Sequence, residues 1–225
     1  MASMTVAVEV WSDIHCPWAL IAVHRLRRAR ARHELDVVFV PRAWPLEWVN
    51  GHGTPRAIVT TETAALGGHE PDLFNAYAND SWPSTFLPAF ELVAATGRRH
   101  GARAAEDVDY ALRLAFFRDS VDVSVLAGLT VALRAAAAEN GQIDVDGVLD
   151  DWHRSNPRAD VARDFAESAG RPIQGSPQVF WPDGSTTHNP GMTDHRWSGD
   201  LVRIGQTSPG EPERILLERL RAGAG

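Results

Sequence analysis

A strand-like run that stops just short of a cysteine and restarts as a helix sets the tightest limit on how this chain folds. Thr5 to Trp11 alternates Val6, Val8 and Val10 with Ala7, Glu9 and Trp11, and this β-branched alternation reads as a central strand. Ser12-Asp13-Ile14-His15 and then Cys16-Pro17-Trp18-Ala19 follow, and from Pro17 to about His33 the apolar residues Trp18, Ala22 and Leu26 share one helical face. Proline suits a first helical turn, where its missing N–H leaves no hydrogen bond unmade and its fixed φ presets the helix. The only cysteine of the 225 residues therefore stands at a helix start. Free backbone N–H groups and the positive end of the macrodipole favour the thiolate there. The expectation is an accessible, ionised nucleophile, and the competing reading is a buried, inert cysteine.

With 44% hydrophobic residues the chain can bury a sizeable core and fits one domain, or a domain carrying an insertion. A net charge of −7 argues against a nucleic-acid partner, whose phosphates attract clustered cations. All of the positive charge is arginine. No apolar run approaches the ~20 residues needed to span a bilayer, so neither a membrane nor a secretory route is expected and the chain reads as cytoplasmic. One cysteine cannot form an internal disulfide, which agrees with a reducing compartment. The nine histidines show no HExxH or paired Cys/His spacing, so no metal is expected. Neither a P-loop nor a GxGxxG fingerprint is present.

Leu35 to Val40 is a second strand, stopped by Pro41-Arg42-Ala43-Trp44-Pro45-Leu46-Glu47. Arg25, Arg27, Arg28, Arg30 and Arg32 crowd the later turns of the preceding helix and read as a solvated face or as an anion-binding patch. From about Thr54 to Asp151 nearly every segment is helical in pattern, and a parallel strand pair separated by this much helix implies an all-helical insertion. Its first part, Thr54 to Trp82, is a mobile lid or a plain connection. Asp144 to Asp151 lacks the spacing and closing glutamate of a calcium loop and reads as helix capping. Another helix runs from Arg158 to Ala169, stopped by Gly170 and Pro172. Gly175-Ser176-Pro177 then enters an apolar strand, Trp181-Pro182-Asp183-Gly184-Ser185 turns, Thr186 to Asn189 returns, and Glu211 to Arg221 closes the chain as a helix.

Strand, Cys16-Pro17-Trp18-Ala19 and helix, with Ser176-Pro177 ahead of a later strand, resemble the DsbA-like branch of the thioredoxin superfamily. That branch includes the cytosolic FrnE-type oxidoreductases. It is related to the 2-hydroxychromene-2-carboxylate isomerases and the kappa-class glutathione transferases, in which serine often replaces the cysteine. The resemblance implies an α/β thioredoxin fold with an inserted all-helical domain, residues 4–53 and 154–225 forming the first unit and 54–153 the insertion. It also implies that the Ser176–Pro177 bond is cis and lies against Cys16, so that Ser176 and Pro177 form a substrate-docking edge. Pro17 and Trp18 would shape the entrance. Trp44, and Trp48 after it, would wall the groove or sit in the core, and His188 or Asn189 would line the pocket or form a surface turn. His15 either lowers the Cys16 pKa as a cation or faces solvent beside it, and Asp13 satisfies N–H groups at the helix start.

One departure from the family matters for chemistry. The usual second cysteine is Ala19, so no resolving thiol exists in the chain and a two-cysteine exchange cycle is closed to it. What remains is single-cysteine thiol exchange, or chemistry assisted by a thiol cofactor, on a small molecule or a thiol-bearing partner. No tightly bound cofactor is expected; the resemblance implies a low-molecular-weight thiol, glutathione or mycothiol, and is compatible with a homodimer. The alternative from another class is a non-catalytic binding protein that keeps the groove to hold a peptide or a thiol.

Overall fold

The computed structural model describes residues 5–222, so Met4 and residues 223–225, the outer ends of the expected thioredoxin-like unit, lie outside the description. Strand β1 (Val6–Ser12) is the inner strand that its alternation requires. It pairs parallel with β2 (Val37–Ala43), from Val6↔Val37 to Ser12↔Ala43. A parallel pair needs a long crossover, which α1 (Pro17–Arg32) supplies. β2 runs to Ala43, past the Val40 end that Pro41 suggested. It is an edge strand, and an edge tolerates a residue without a donor.

Between β2 and β3 the chain is helical. It forms α2 (Leu46–Asn50), α3 (Arg56–Leu66), a 3₁₀ turn at Pro71–Leu73, α4 (Leu87–His100), α5 (Ala102–Phe117), α6 (Leu126–Glu139), α7 (Val145–Arg154) and α8 (Arg158–Ser168). Gly101 joins α4 to α5 at φ +81°, a left-handed conformation that favours glycine. Asp144 caps α7, its Oδ1 accepting from the Gly147 N–H at 3.1 Å. The chain then returns through β3 (Gln178–Phe180), antiparallel to β1 and so opposed to β2 rather than parallel to it as expected, because the long helical segment lets the strand enter the sheet from either end. β4 (Thr186–His188) follows, antiparallel to β3, giving the order β2-β1-β3-β4. A separate hairpin, β5 (His195–Ser198) with β6 (Leu201–Ile204), follows, and α9 (Glu211–Ala222) packs against α1. The hairpin was not expected from the sequence, although Gly199 at φ +61° provides its turn.

α1 is buried on both sides. Ala19, Leu20 and Ile21 join the large cluster that α4, α5 and α6 fill with Leu92, Leu112, Phe116 and Leu129. Val23, Leu26 and Ala29 join the sheet-side cluster with Val8, Val10, Phe39, Val179, Ile215 and Leu216. The arginine run of α1 is neither a simple solvated face nor an open patch. Arg25 is buried and its Nε donates to Glu70 at 2.7 Å, while Arg27 and Arg30 both reach the buried Glu106 of α5, at 2.5 and 2.7 Å. Glu106 also accepts from the Phe39 N–H at 2.9 Å, so one carboxylate fastens helix, helix and strand together. Arg28 and Arg32 do remain exposed. Among the described residues, no helix is long and apolar enough to cross a membrane.

Candidate active site

The loop from Ser12 to Cys16 is fixed by buried polar groups before it reaches the cysteine. Asp13 is fully buried. Its Oδ1 accepts from the His15 N–H at 2.8 Å and lies 2.5 Å from His15 Nδ1, and its Oδ2 accepts from the Leu46 N–H at 2.5 Å. Asp13 thus closes its own loop and holds the start of α2, a different task from the expected capping of α1. Behind it, Arg113 of α5, only 1% exposed, donates to the Asp13 carbonyl at 2.7 Å and to Ser12 Oγ at 2.8 Å. Its remaining donors grip Asp109 in two bonds of 2.8 and 2.9 Å, which neutralise the buried guanidinium.

Cys16 is the N-cap of α1, with Pro17 at the first helical position. The Ser176–Pro177 peptide is cis, and Cys16 Sγ donates to the Ser176 carbonyl at 3.2 Å. Ser176 also reaches the cysteine loop from its side chain, its Oγ accepting from the Asp13 N–H at 2.9 Å. These groups open onto a cleft of about 230 Å³ whose wall includes His15, Cys16, Trp18, Thr54, Glu62 and Asn189. A larger cleft of about 330 Å³ lies between β2, α4, α5 and α8, but its charged groups are taken up in ion pairs, such as Arg42 with Asp164 at 2.9 Å, and its Ser12 hydroxyl already accepts from Arg113.

The thiol itself departs from the expectation of an ionised, accessible nucleophile. Cys16 is only 5% exposed, and burial, then the nearby Glu62 carboxylate, pushes its pKa up to about 12. A hydrogen bond with Ser176 and one with the Ala19 backbone pull the other way and are outweighed. The helix-start effect is present but smaller than desolvation, because α3 and the Ser176 loop cover the sulfur and remove the water that would solvate a thiolate. In the resting protein the sulfur is a thiol.

His15 does not face solvent, and both of its ring nitrogens are engaged. It is buried, stacked on Phe86 at 4.3 Å between ring centres, with Nε2 2.5 Å from Thr54 Oγ1 and Nδ1 on Asp13. Pro17, Trp18 and Ser176 reach the cleft, and so does His188, whose Nδ1 lies 3.2 Å from the Pro177 carbonyl. Burial lowers the His188 pKa. Pro177 lies behind Ser176, outside the lining. Trp44 is also outside it; Leu46, two residues on, takes the wall instead, and Trp48 packs edge-on against Phe165 of α8 at 5.2 Å.

Several lining residues were not singled out from the sequence. Thr54 precedes α3, and Val59 and Glu62 lie on it, the segment read as lid or connection; here it forms a wall. Glu62 Oε1 accepts from Trp18 Nε1 at 2.9 Å, and burial raises the Glu62 pKa while that bond and His15 lower it. His195 of β5 packs on Trp18 at 4.3 Å between ring centres, the two planes tilted by 30°. None of these carries a motif, and only the fold brings them to Cys16. Among the described residues, no three of His, Cys, Asp and Glu are grouped to hold a metal ion.

A β-α-β unit, a long helical insertion and a closing antiparallel pair with its helix, with a Cys-Pro turn facing a cis-proline loop, make up a DsbA-like thioredoxin fold. No protein-family model matches the sequence, and no curated protein matches it. Solved structures do resemble it. A candidate protein disulfide isomerase from Nitrosomonas europaea is 17% identical with a TM-score of 0.66, over 99% of this chain and 100% of that one. A candidate DsbA oxidoreductase from Streptomyces coelicolor is 19% identical with a TM-score of 0.55, over 96% and 90%. A 2-hydroxychromene-2-carboxylate isomerase is 11% identical with a TM-score of 0.54, over 97% and 95%. At these identities the likeness carries the fold, a mixed α/β domain of thioredoxin type with a helical insertion.

Proposed function

We propose that the protein is a DsbA-like thiol oxidoreductase that works through Cys16 alone, exchanging disulfides with a small thiol compound or a thiolated partner. The observation that carries this reading is the position of Cys16 Sγ, 3.2 Å from the Ser176 carbonyl of a cis Ser-Pro peptide and on the wall of a cleft of about 230 Å³. In the forward step the Cys16 proton passes to water and the sulfur attacks one sulfur of a disulfide. The S–S bond breaks, and the departing thiolate takes up a proton. Because position 19 is alanine, a second thiol from solution must attack the mixed disulfide and restore the free cysteine. The neighbouring structures, named for disulfide exchange and for an isomerase of the same fold, support the class of chemistry and leave the single-cysteine form as a proposal.

A second reading, a non-catalytic protein that holds a peptide or thiol ligand, is favoured by the thiol pKa of about 12. The two part on one experiment. Incubation with 2-hydroxyethyl disulfide, a small neutral disulfide, followed by intact-mass measurement, gives a stoichiometric adduct on the native chain and none on Cys16→Ala if exchange is the function. The absence of an adduct on the native chain, with retained binding of reduced thiol, supports the binding reading.

A further inference from the structure

We infer that the Cys16 cleft selects aminothiols, compounds that carry an ammonium group a few bonds from the thiol or disulfide sulfur, with the Glu62 carboxylate as the receiving group. This rests on the exchange reading above and names the substrate class of that site. The titratable side chains lining the cleft are His15, Cys16, Glu62, His188 and His195, and no arginine is among them. The chain contains no lysine that could reach in from elsewhere. Arg113, the guanidinium nearest the loop, is buried behind Asp13 and paired with Asp109. His188 is kept neutral near pH 7 by burial and supplies no cation. An anionic thiol therefore meets no permanent positive charge in this cleft.

An ammonium meets acceptors. Glu62 Oε1 is held by Trp18 Nε1, and Oε2 has no partner among the described residues. Nor does Glu62 make an ion pair among them. Asn189 is 2% exposed; its Nδ2 donates to the Met192 carbonyl at 2.8 Å, and its Oδ1 is buried without a hydrogen-bond partner among the described residues. A buried polar atom left in this way is destabilising, so Asn189 Oδ1 is an unused acceptor in a residue of the cleft wall. The same charge that recognises the ammonium also restrains the thiol, since Glu62 is the second cause of the raised Cys16 pKa. A cation beside Glu62 cancels that repulsion, so the matching substrate helps ionise the sulfur that attacks it. The covalent step is then the balanced exchange already given, with the aminothiol leaving as its thiol.

The test uses three disulfides of similar length: cystamine with ammonium ends, 2-hydroxyethyl disulfide with neutral ends and 3,3′-dithiodipropionate with carboxylate ends. Labelling of Cys16 is timed by intact mass and divided by the rate each reagent shows with free 2-mercaptoethanol. The expected result is a normalised preference for cystamine over the dicarboxylate of about tenfold or more, the factor that corresponds to a modest ion pair. In Glu62→Gln, which keeps an oxygen for Trp18 Nε1, the preference shrinks to near parity. In the native chain it also shrinks as salt is raised, a readout that does not depend on the variant folding. Equal normalised rates in the native chain, or an unchanged preference in a folded Glu62→Gln, overturn the inference while leaving exchange intact. Failure of all three reagents, the neutral one included, overturns the exchange reading itself.

Discussion

The buried thiol makes the stability of the protein depend on alkaline pH in a calculable way. Cys16 has its pKa raised from 9.0 to about 12 in the fold. A raised acid pKa leaves stability untouched while both states hold the proton. Once the pH passes the unfolded value, the unfolded chain releases its proton and the native one keeps it, so stability falls until the folded value is reached. One pH unit above the unfolded value the loss is about 1.4 kcal/mol, and across the whole shift it is about 4 kcal/mol. The perturbation is Cys16→Ala, and the measurement is urea unfolding of both proteins at about pH 8 and about pH 10. Burial also raises the pKa of Tyr77 and Tyr110, and these add alkaline destabilisation common to both proteins that cancels in the difference. The native chain should lose about 1.4 kcal/mol more than Cys16→Ala over that interval. Parallel losses, together with an iodoacetamide alkylation midpoint near the free-thiol value of about 8.5, would refute the account of a desolvated thiol.

Arg113→Met should lower the unfolding free energy by about 3–5 kcal/mol, because it strands the buried Asp109 carboxylate and removes the donor to the Asp13 carbonyl; a loss under about 1 kcal/mol in urea melts contradicts this. Asp13→Asn keeps the shape but turns an NH₂ group toward either the Leu46 N–H or the His15 donors, a mismatch of about 1–3 kcal/mol, and labelling of Cys16 by 2-hydroxyethyl disulfide should slow with it. Unchanged stability and labelling would remove Asp13 from the set of loop-positioning groups.

What the sequence revealed about the fold was local, and what it missed came from afar. Val6, Val8 and Val10 announce β1 by period, and Pro17 announces the start of α1, because strand and helix periods and the proline rule act within a few residues. The turn at Gly199 is equally local, but the stretch His195 to Asp200 has Trp197 as its single large apolar residue and so no apolar alternation, which leaves the β5–β6 hairpin without a period signal. The pKa of Cys16 was expected to move the wrong way for a different reason. The N-terminal amides of α1 are written next to the cysteine, whereas the residues that bury it, Val59, Glu62 and Ser176, lie far along the chain. The arginines of α1 were ambiguous for the same reason: Glu106 and Glu70, which take them up, belong to elements more than a helix away. The resemblance places Trp44 at the groove wall or in the core, and Leu46, two residues on, lines the cleft.

Arg113 ties the middle of α5 to the peptide just ahead of the cysteine, so the helical segment and the sheet segment are not interchangeable parts. A chimaera that grafted this sheet onto another protein's helices would need an arginine at this height, a carboxylate one turn before it, and a serine at the end of the first strand. A deletion reduced to the sheet and its flanking helices would leave the cysteine turn without its anchor. Recombination at these boundaries is therefore restricted by three side chains whose fit has to be inherited together.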